Sequence, residues 1–119
     1  MLVDDDHRYR TVACRTLVAD GAEILAEVAN GRDVLDAVAR RRPDVVLLDI
    51  HLPGIDGVEV ARRLHARGGA RPVVILMSTR DAAYGRRVAA GLVAGYLPKE
   101  QLSLAAILEL VPPLGTASH

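Results

Sequence analysis

A single lysine, Lys99, stands among fourteen arginines. Its ammonium is a compact point charge on a flexible stem that can meet one phosphate oxygen, unlike the planar guanidinium fork. It follows the apolar run Ala94-Gly95-Tyr96-Leu97. Three other apolar runs end in polar groups: Val3 into Asp4-Asp5-Asp6, Val45-Val46-Leu47-Leu48 into Asp49, and Val73-Val74-Ile75-Leu76-Met77 into Ser78-Thr79. If these runs are parallel strands of one sheet, carboxylates, hydroxyls and the ammonium converge at one edge, a site for a divalent cation and a phosphoryl group. Packed carboxylates repel and persist most easily around a shared cation. Mg²⁺ takes oxygen ligands, typically one or two carboxylates, waters and a phosphate oxygen. Asp6 also suits the N-cap of the helix that follows it. Asp49 follows the most apolar run and reads either as the start of a turn or as a carboxylate nucleophile that forms an acyl phosphate. Ser78 is the better-placed hydroxyl and Thr79 the second choice. Tyr96 is either a core ring or a switch residue with its hydroxyl at the surface.

The elements that must position these groups alternate strand and helix five times. Residues 1–3 read as a short first strand and residues 7–20 as a helix with Tyr9, Val12, Ala13, Thr16 and Leu17 on its inner face. Residues 22–29 read as a second strand, 32–41 as a helix with Val34, Leu35 and Val38 inward, and 45–48 as a strand buried on both faces. Then come helix 57–67, strand 73–77, a fourth helix from Asp81 to about residue 90 weakened by Gly85, strand 95–97 and a last helix 104–111. On that last helix Leu104, Ile107, Leu108 and Val111 form the expected inner stripe, leaving Ala106 and Leu110 outside. Such alternation means right-handed crossovers and an α/β fold, a doubly wound parallel sheet with helices on both faces. Ligands of these sheets bind beyond the carboxyl ends of the strands, where all the polar groups named above fall.

Composition narrows the classes. The chain has 119 residues, enough for one domain with a real core, and that core is aliphatic because Phe and Trp are absent. Fifteen bases balance fifteen acids, so no nucleic-acid surface is expected. No stretch approaches the ~20 apolar residues of a membrane span, and a lone cysteine, Cys14, fits a reducing, cytoplasmic setting. His7, His51, His65 and His119 lack metal-ligand spacing, and the paired arginines read as solvated helix faces.

Four stretches carry a family resemblance: Val3-Asp4-Asp5-Asp6; Leu47-Leu48-Asp49-Ile50-His51-Leu52-Pro53-Gly54-Ile55-Asp56-Gly57; Ile75-Leu76-Met77-Ser78-Thr79; and Gly95-Tyr96-Leu97-Pro98-Lys99. In this order they closely resemble the receiver domain of two-component response regulators (CheY-like) over residues 1–112, leaving 113–119 as a tail or the start of a linker. The resemblance implies a flavodoxin-like (βα)5 sheet in strand order 2-1-3-4-5. It implies Asp49 as phosphoacceptor, Asp5 as a direct Mg²⁺ ligand, Asp4 as a ligand mainly through water, and the His51 carbonyl completing the metal's protein ligands. Ser78 would be the switch hydroxyl, Lys99 the phosphate contact and Tyr96 the rotating aromatic. His51 and Arg80 fall where relatives tune the acyl-phosphate lifetime. The implied partner is a sensor histidine kinase, and the implied output surface, a candidate homodimer face, is the fourth helix, fifth strand and fifth helix. Ala106 and Leu110 are the expected contribution of the last helix to such a dimer. The first strand is shorter than the family's, and an interior strand so short should cost stability or mark a displaced start.

On this reading the chain is a signalling domain and not an enzyme, limited to self-phosphorylation and autodephosphorylation. Two alternatives remain. Asp4-x-Asp6 after a strand resembles phosphatases that form an aspartyl-phosphate, although the chain is short for that fold plus a cap. A receiver-like interaction module that is never phosphorylated is the other.

Overall fold

The computed structural model describes residues 1–67, 72–78 and 91–112. Five strands form one sheet in the order β2-β1-β3-β4-β5, and every neighbouring pair is parallel. They are β1 (Leu2–Val3), β2 (Glu27–Val28), β3 (Val45–Asp49), β4 (Val73–Ser78) and β5 (Gly95–Pro98). Between them run α1 (His7–Ala19), α2 (Arg32–Arg41) and α3 (Gly57–Ala66). A 3₁₀ turn at Lys99–Gln101 leads to a C-terminal helix, Leu104–Leu110.

Successive strand residues point to opposite faces, and the central strands divide accordingly. Val46 and Leu48 of β3 and Val74 and Leu76 of β4 join Val34, Val38, Val60 and Leu64 of α2 and α3. Leu47, Ile75 and Met77 join Leu17 of α1 and Ile107 of the C-terminal helix on the other face. This is why β3 and β4 lack a polar alternation: helices cover both of their sides. Side chains cap the starts of α1, α3 and the C-terminal helix. Asp6 accepts the Arg8 and Tyr9 amides at 3.0 and 3.3 Å, Asp56 that of Glu59 at 2.9 Å, and Ser103 that of Ala106 at 3.0 Å.

Three sequence expectations need correction. Strand β2 shrinks from residues 22–29 to Glu27–Val28, because β1 offers only Leu2 and Val3 as pairing partners. On α1, Val12 and Thr16 face outward, while Cys14 turns inward beside Ala13 and Leu17. On the C-terminal helix, Leu108 is exposed and Ala106 and Leu110 pack inward, so those two cannot serve as an outward dimer face. The space for Leu110 comes from Gly95, where an added Cβ would sit 2.7 Å from a Leu110 methyl. The expected fourth helix with Asp81 and Gly85, together with Thr79, Arg80 and the tail 113–119, lies outside the described residues.

Candidate functional site

Parallel register brings the strand tips into line. Val3 pairs with Leu48, so Asp4 and Asp49 leave the sheet side by side. Asp49 pairs with Met77, and Ser78 with Pro98, which places Ser78 and Lys99 at the same edge. Asp4, Asp49 and Ser78 are buried, at 0%, 4% and 2% exposure, and Asp5 is exposed.

The Lys99 ammonium donates to Asp49 Oδ2 at 3.2 Å and forms an ion pair with Asp4 Oδ2. Asp4 Oδ1 accepts the Asp6 amide at 2.9 Å, and Asp49 Oδ1 accepts the His51 amide at 3.1 Å. Asp4 Oδ2 touches the ammonium without an aligned hydrogen bond, and no other donor satisfies it among the described residues. One carboxylate oxygen from each of Asp4, Asp5 and Asp49 lies within 4.8 Å of the others.

Burial pushes the Asp49 carboxyl above its ordinary value. The Asp4 charge adds to that effect, while the His51 amide and the Lys99 ammonium oppose it. For Lys99, burial acts to lower the value, but contact with Asp4 and Asp49 outweighs it and the ammonium is held above its ordinary range. Lys99 therefore stays charged and pairs with two carboxylates, Asp4 and Asp49, beside which Asp5 stands as a third acid.

The response regulator receiver domain profile matches residues 1–111. This chain belongs to the response regulator receiver family. The receiver is similar to the response regulator MprA of Mycolicibacterium vanbaalenii, 42% identical over 103 residues covering 83% of this chain and 42% of that protein. It is 30% identical over 101 residues to EvgA of Escherichia coli K12, a DNA-binding transcriptional activator, covering 84% of this chain and 50% of EvgA. The chain thus spans half or less of these relatives. Among solved structures, the signal receiver domain of a NarL response regulator from Mycobacterium tuberculosis superposes with a TM-score of 0.82 at 28% identity, covering 91% of this chain and 90% of that one.

Of the residues singled out from sequence, the receiver fold brings Asp4, Asp5, Asp49 and Lys99 together, with Ser78 at the same edge. His51 enters through its backbone amide, and the residue itself is exposed. Tyr96 pairs with Leu76, short of the strand tips, and packs half-buried against the α2–α3 side of the core. The vicinal acids, with one carboxylate oxygen of each of Asp4, Asp5 and Asp49 close together, suit a hard divalent cation with oxygen ligands.

Two residues at the site escaped the sequence reading. Tyr9, read only as an inner-face helix residue, places its ring centroid 4.7 Å from Lys99 Nζ and donates its hydroxyl to the Lys99 carbonyl at 2.9 Å. Its phenol is pushed well above the ordinary range, first by burial and then by Asp4, Asp49 and Glu100. Arg10 donates through Nη1 to the Asp4 carbonyl at 2.5 Å and pairs with Glu27 at 3.4 Å. The available signal was position: both residues lie one turn into the helix that starts at the acids.

Proposed function

We propose that this receiver is a phosphoacceptor switched by phosphorylation of Asp49. The observation that carries the reading is the Lys99 ammonium 3.2 Å from Asp49 Oδ2, with Asp4 and Asp5 alongside. An Asp49 carboxylate oxygen attacks phosphorus in line. The new O–P bond forms as the P–N bond of a phosphohistidine on a sensor kinase breaks, and the departing imidazole nitrogen takes a proton. With a small donor such as acetyl phosphate, the P–O bond breaks and acetate leaves.

Asp4, Asp5, Asp49 and the His51 carbonyl would hold Mg²⁺, which when bound offsets charge on the phosphoryl oxygens. Lys99 supplies a fixed cation at the same place. The Ser78 hydroxyl, buried at the tip of β4, is the donor for a phosphoryl oxygen on Asp49. That contact is the switch, with Tyr96 as the ring that responds; Thr79, the second hydroxyl, lies outside the described residues. The response is a population shift between two surfaces rather than a new fold. The output face includes β5 and the C-terminal helix, and it is the candidate surface for a homodimer; the expected fourth helix lies outside the described residues. The domain is residues 1–112, and the step is stoichiometric rather than a turnover reaction. A cytoplasmic location fits a kinase partner, and no described helix is long and apolar enough to cross a membrane.

The test is uptake of label from acetyl phosphate, or of beryllofluoride, with and without Mg²⁺. Uptake should require both Mg²⁺ and Asp49. An Asp49→Asn protein that still takes up label overturns the assignment, and multiple turnovers on a phosphate ester would point to a phosphatase instead.

A further inference from the structure

Lysine's long stem has many rotamers to lose, so an ammonium meant to wait between two acids needs something to hold it. Carboxylates alone fix only its tip. In this chain the other constraint is Tyr9. Its ring lies against the ammonium, with the centroid 4.7 Å from Nζ, and its hydroxyl donates to the Lys99 carbonyl at 2.9 Å. One side chain thus grips both ends of one residue, across 90 positions of sequence.

Tyr9 is itself anchored to the acidic segment. Its amide donates to Asp6 Oδ1 at 3.3 Å, and the Asp6 amide donates to Asp4 Oδ1 at 2.9 Å. With Lys99 bonded to Asp49 and paired with Asp4, the contacts close a loop from the end of β1, through the start of α1, to the end of β5 and back. A leucine at residue 9 would keep an apolar side chain on the inner face, but it has neither a π face for the cation nor a hydroxyl for the carbonyl.

We propose that Tyr9 is a positioning residue for Lys99, holding the ammonium between Asp4 and Asp49 so that it already stands where a phosphoryl oxygen arrives. The functional half of this inference rests on the phosphoacceptor reading above. The positional half does not.

Because Lys99 is the only lysine, protein labelled with ¹³C,¹⁵N-lysine reports it as one spin system. In metal-free protein the Lys99 ε-methylene protons should resonate upfield of free lysine, shielded by the Tyr9 ring. Tyr9→Phe should keep that displacement and Tyr9→Leu should abolish it. With Mg²⁺ present, beryllofluoride should bind Tyr9→Leu about tenfold more weakly than the parent, as expected from losing a cation–π contact and a hydrogen bond together. Tyr9→Phe should lose about threefold. Mg²⁺ affinity, which depends on the acids, should change by no more than about threefold in either variant. A methylene signal at the free-lysine position in the parent, or unmoved in Tyr9→Leu, overturns the proposal. So does parent-like beryllofluoride affinity in Tyr9→Leu. Should Tyr9→Leu fail to fold, Tyr9→Phe decides: parent-like affinity overturns the hydroxyl's part. A parent that binds no beryllofluoride defeats the phosphoacceptor reading, while the lysine spectrum still judges the positioning.

Discussion

Replacing Lys99 by methionine removes the ammonium while keeping a similar unbranched stem. The Lys99 side chain is 9% exposed and its partners Asp4 and Asp49 are 0% and 6% exposed at the side chain. What remains is two buried carboxylates facing each other without a cation. Breaking a buried pair by removing one partner costs about 3–5 kcal/mol. The open side of the site at Asp5 admits water, so the low end, about 3 kcal/mol, is expected. For a domain of this size that lowers Tm by about 12 °C. The assay is urea and thermal unfolding at pH 7 in EDTA, followed by circular dichroism. Two further measurements separate charge from packing. Asp4→Asn added to Lys99→Met should recover most of the loss, because the orphaned charge goes with its partner. Mg²⁺ should stabilise Lys99→Met more than the parent, because the acids are no longer shared with an ammonium, and by about 2.7 kcal/mol at one hundred times its Kd. A Lys99→Met protein within about 0.5 kcal/mol of the parent in EDTA would refute the view that this ammonium holds the acidic edge together.

A Cβ at Gly57 would sit 2.2 Å from the Asp49 carbonyl oxygen, so Gly57→Ala should cost about 2 kcal/mol in urea unfolding and weaken beryllofluoride binding by displacing Asp49. Parent-like values for both would be incompatible with that contact. Arg42 ends α2 at φ 47°, a left-handed position that suits glycine, so Arg42→Gly should raise stability by up to about 1 kcal/mol in the same assay. Burial and Asp4 raise the Asp49 pKa, so in EDTA the folded state keeps this proton at pH values where the unfolded chain has lost it. Stability from this group therefore grows as pH falls through the raised folded value toward 3.8. The advantage of Asp49→Asn over the parent should shrink on acidification, and an advantage that widened would contradict the shift.

The legible parts of the sequence were those governed by local periodicity. Continuous Val and Leu runs marked β3 and β4 because both faces are covered, and the polar residue ending each run marked the site edge. Strand β2 misled because its length is set by a distant partner: Ile24, Leu25 and Ala26 are apolar enough for a strand, but β1 pairs only Glu27 and Val28. On α1, counting apolar residues favoured Val12 over Cys14, whereas the rotation that buries Ala13 and Leu17 and sends Tyr9 toward Lys99 also buries part of Cys14. Leu110 was misjudged although its cue was present. A glycine in a strand leaves room for a neighbour, and Gly95 leaves it for Leu110. The Tyr9 and Arg10 contacts had no such cue, because nothing in spacing reports a hydroxyl meeting a carbonyl 90 residues away.

The lone lysine now has a physical reason. Arg40, Arg62 and Arg63 are 70%, 56% and 48% exposed and pair with acids on their own helices. Exposed pairs of this kind contribute little and ask only for positive charge, so either basic residue serves. Arg10 is half-buried and uses the breadth of its fork, reaching the Asp4 carbonyl, Glu27 and His7 Nδ1. At Lys99 the demand is the opposite. Two carboxylate oxygens and an aromatic face converge on one point, and a compact ammonium on a narrow stem fits where a planar guanidinium would have to push the ring or an acid aside. Among the described residues, exposed pairs that ask only for charge carry arginine, Arg10 uses the width of its fork, and the one point crowded by two acids and a ring carries the lysine.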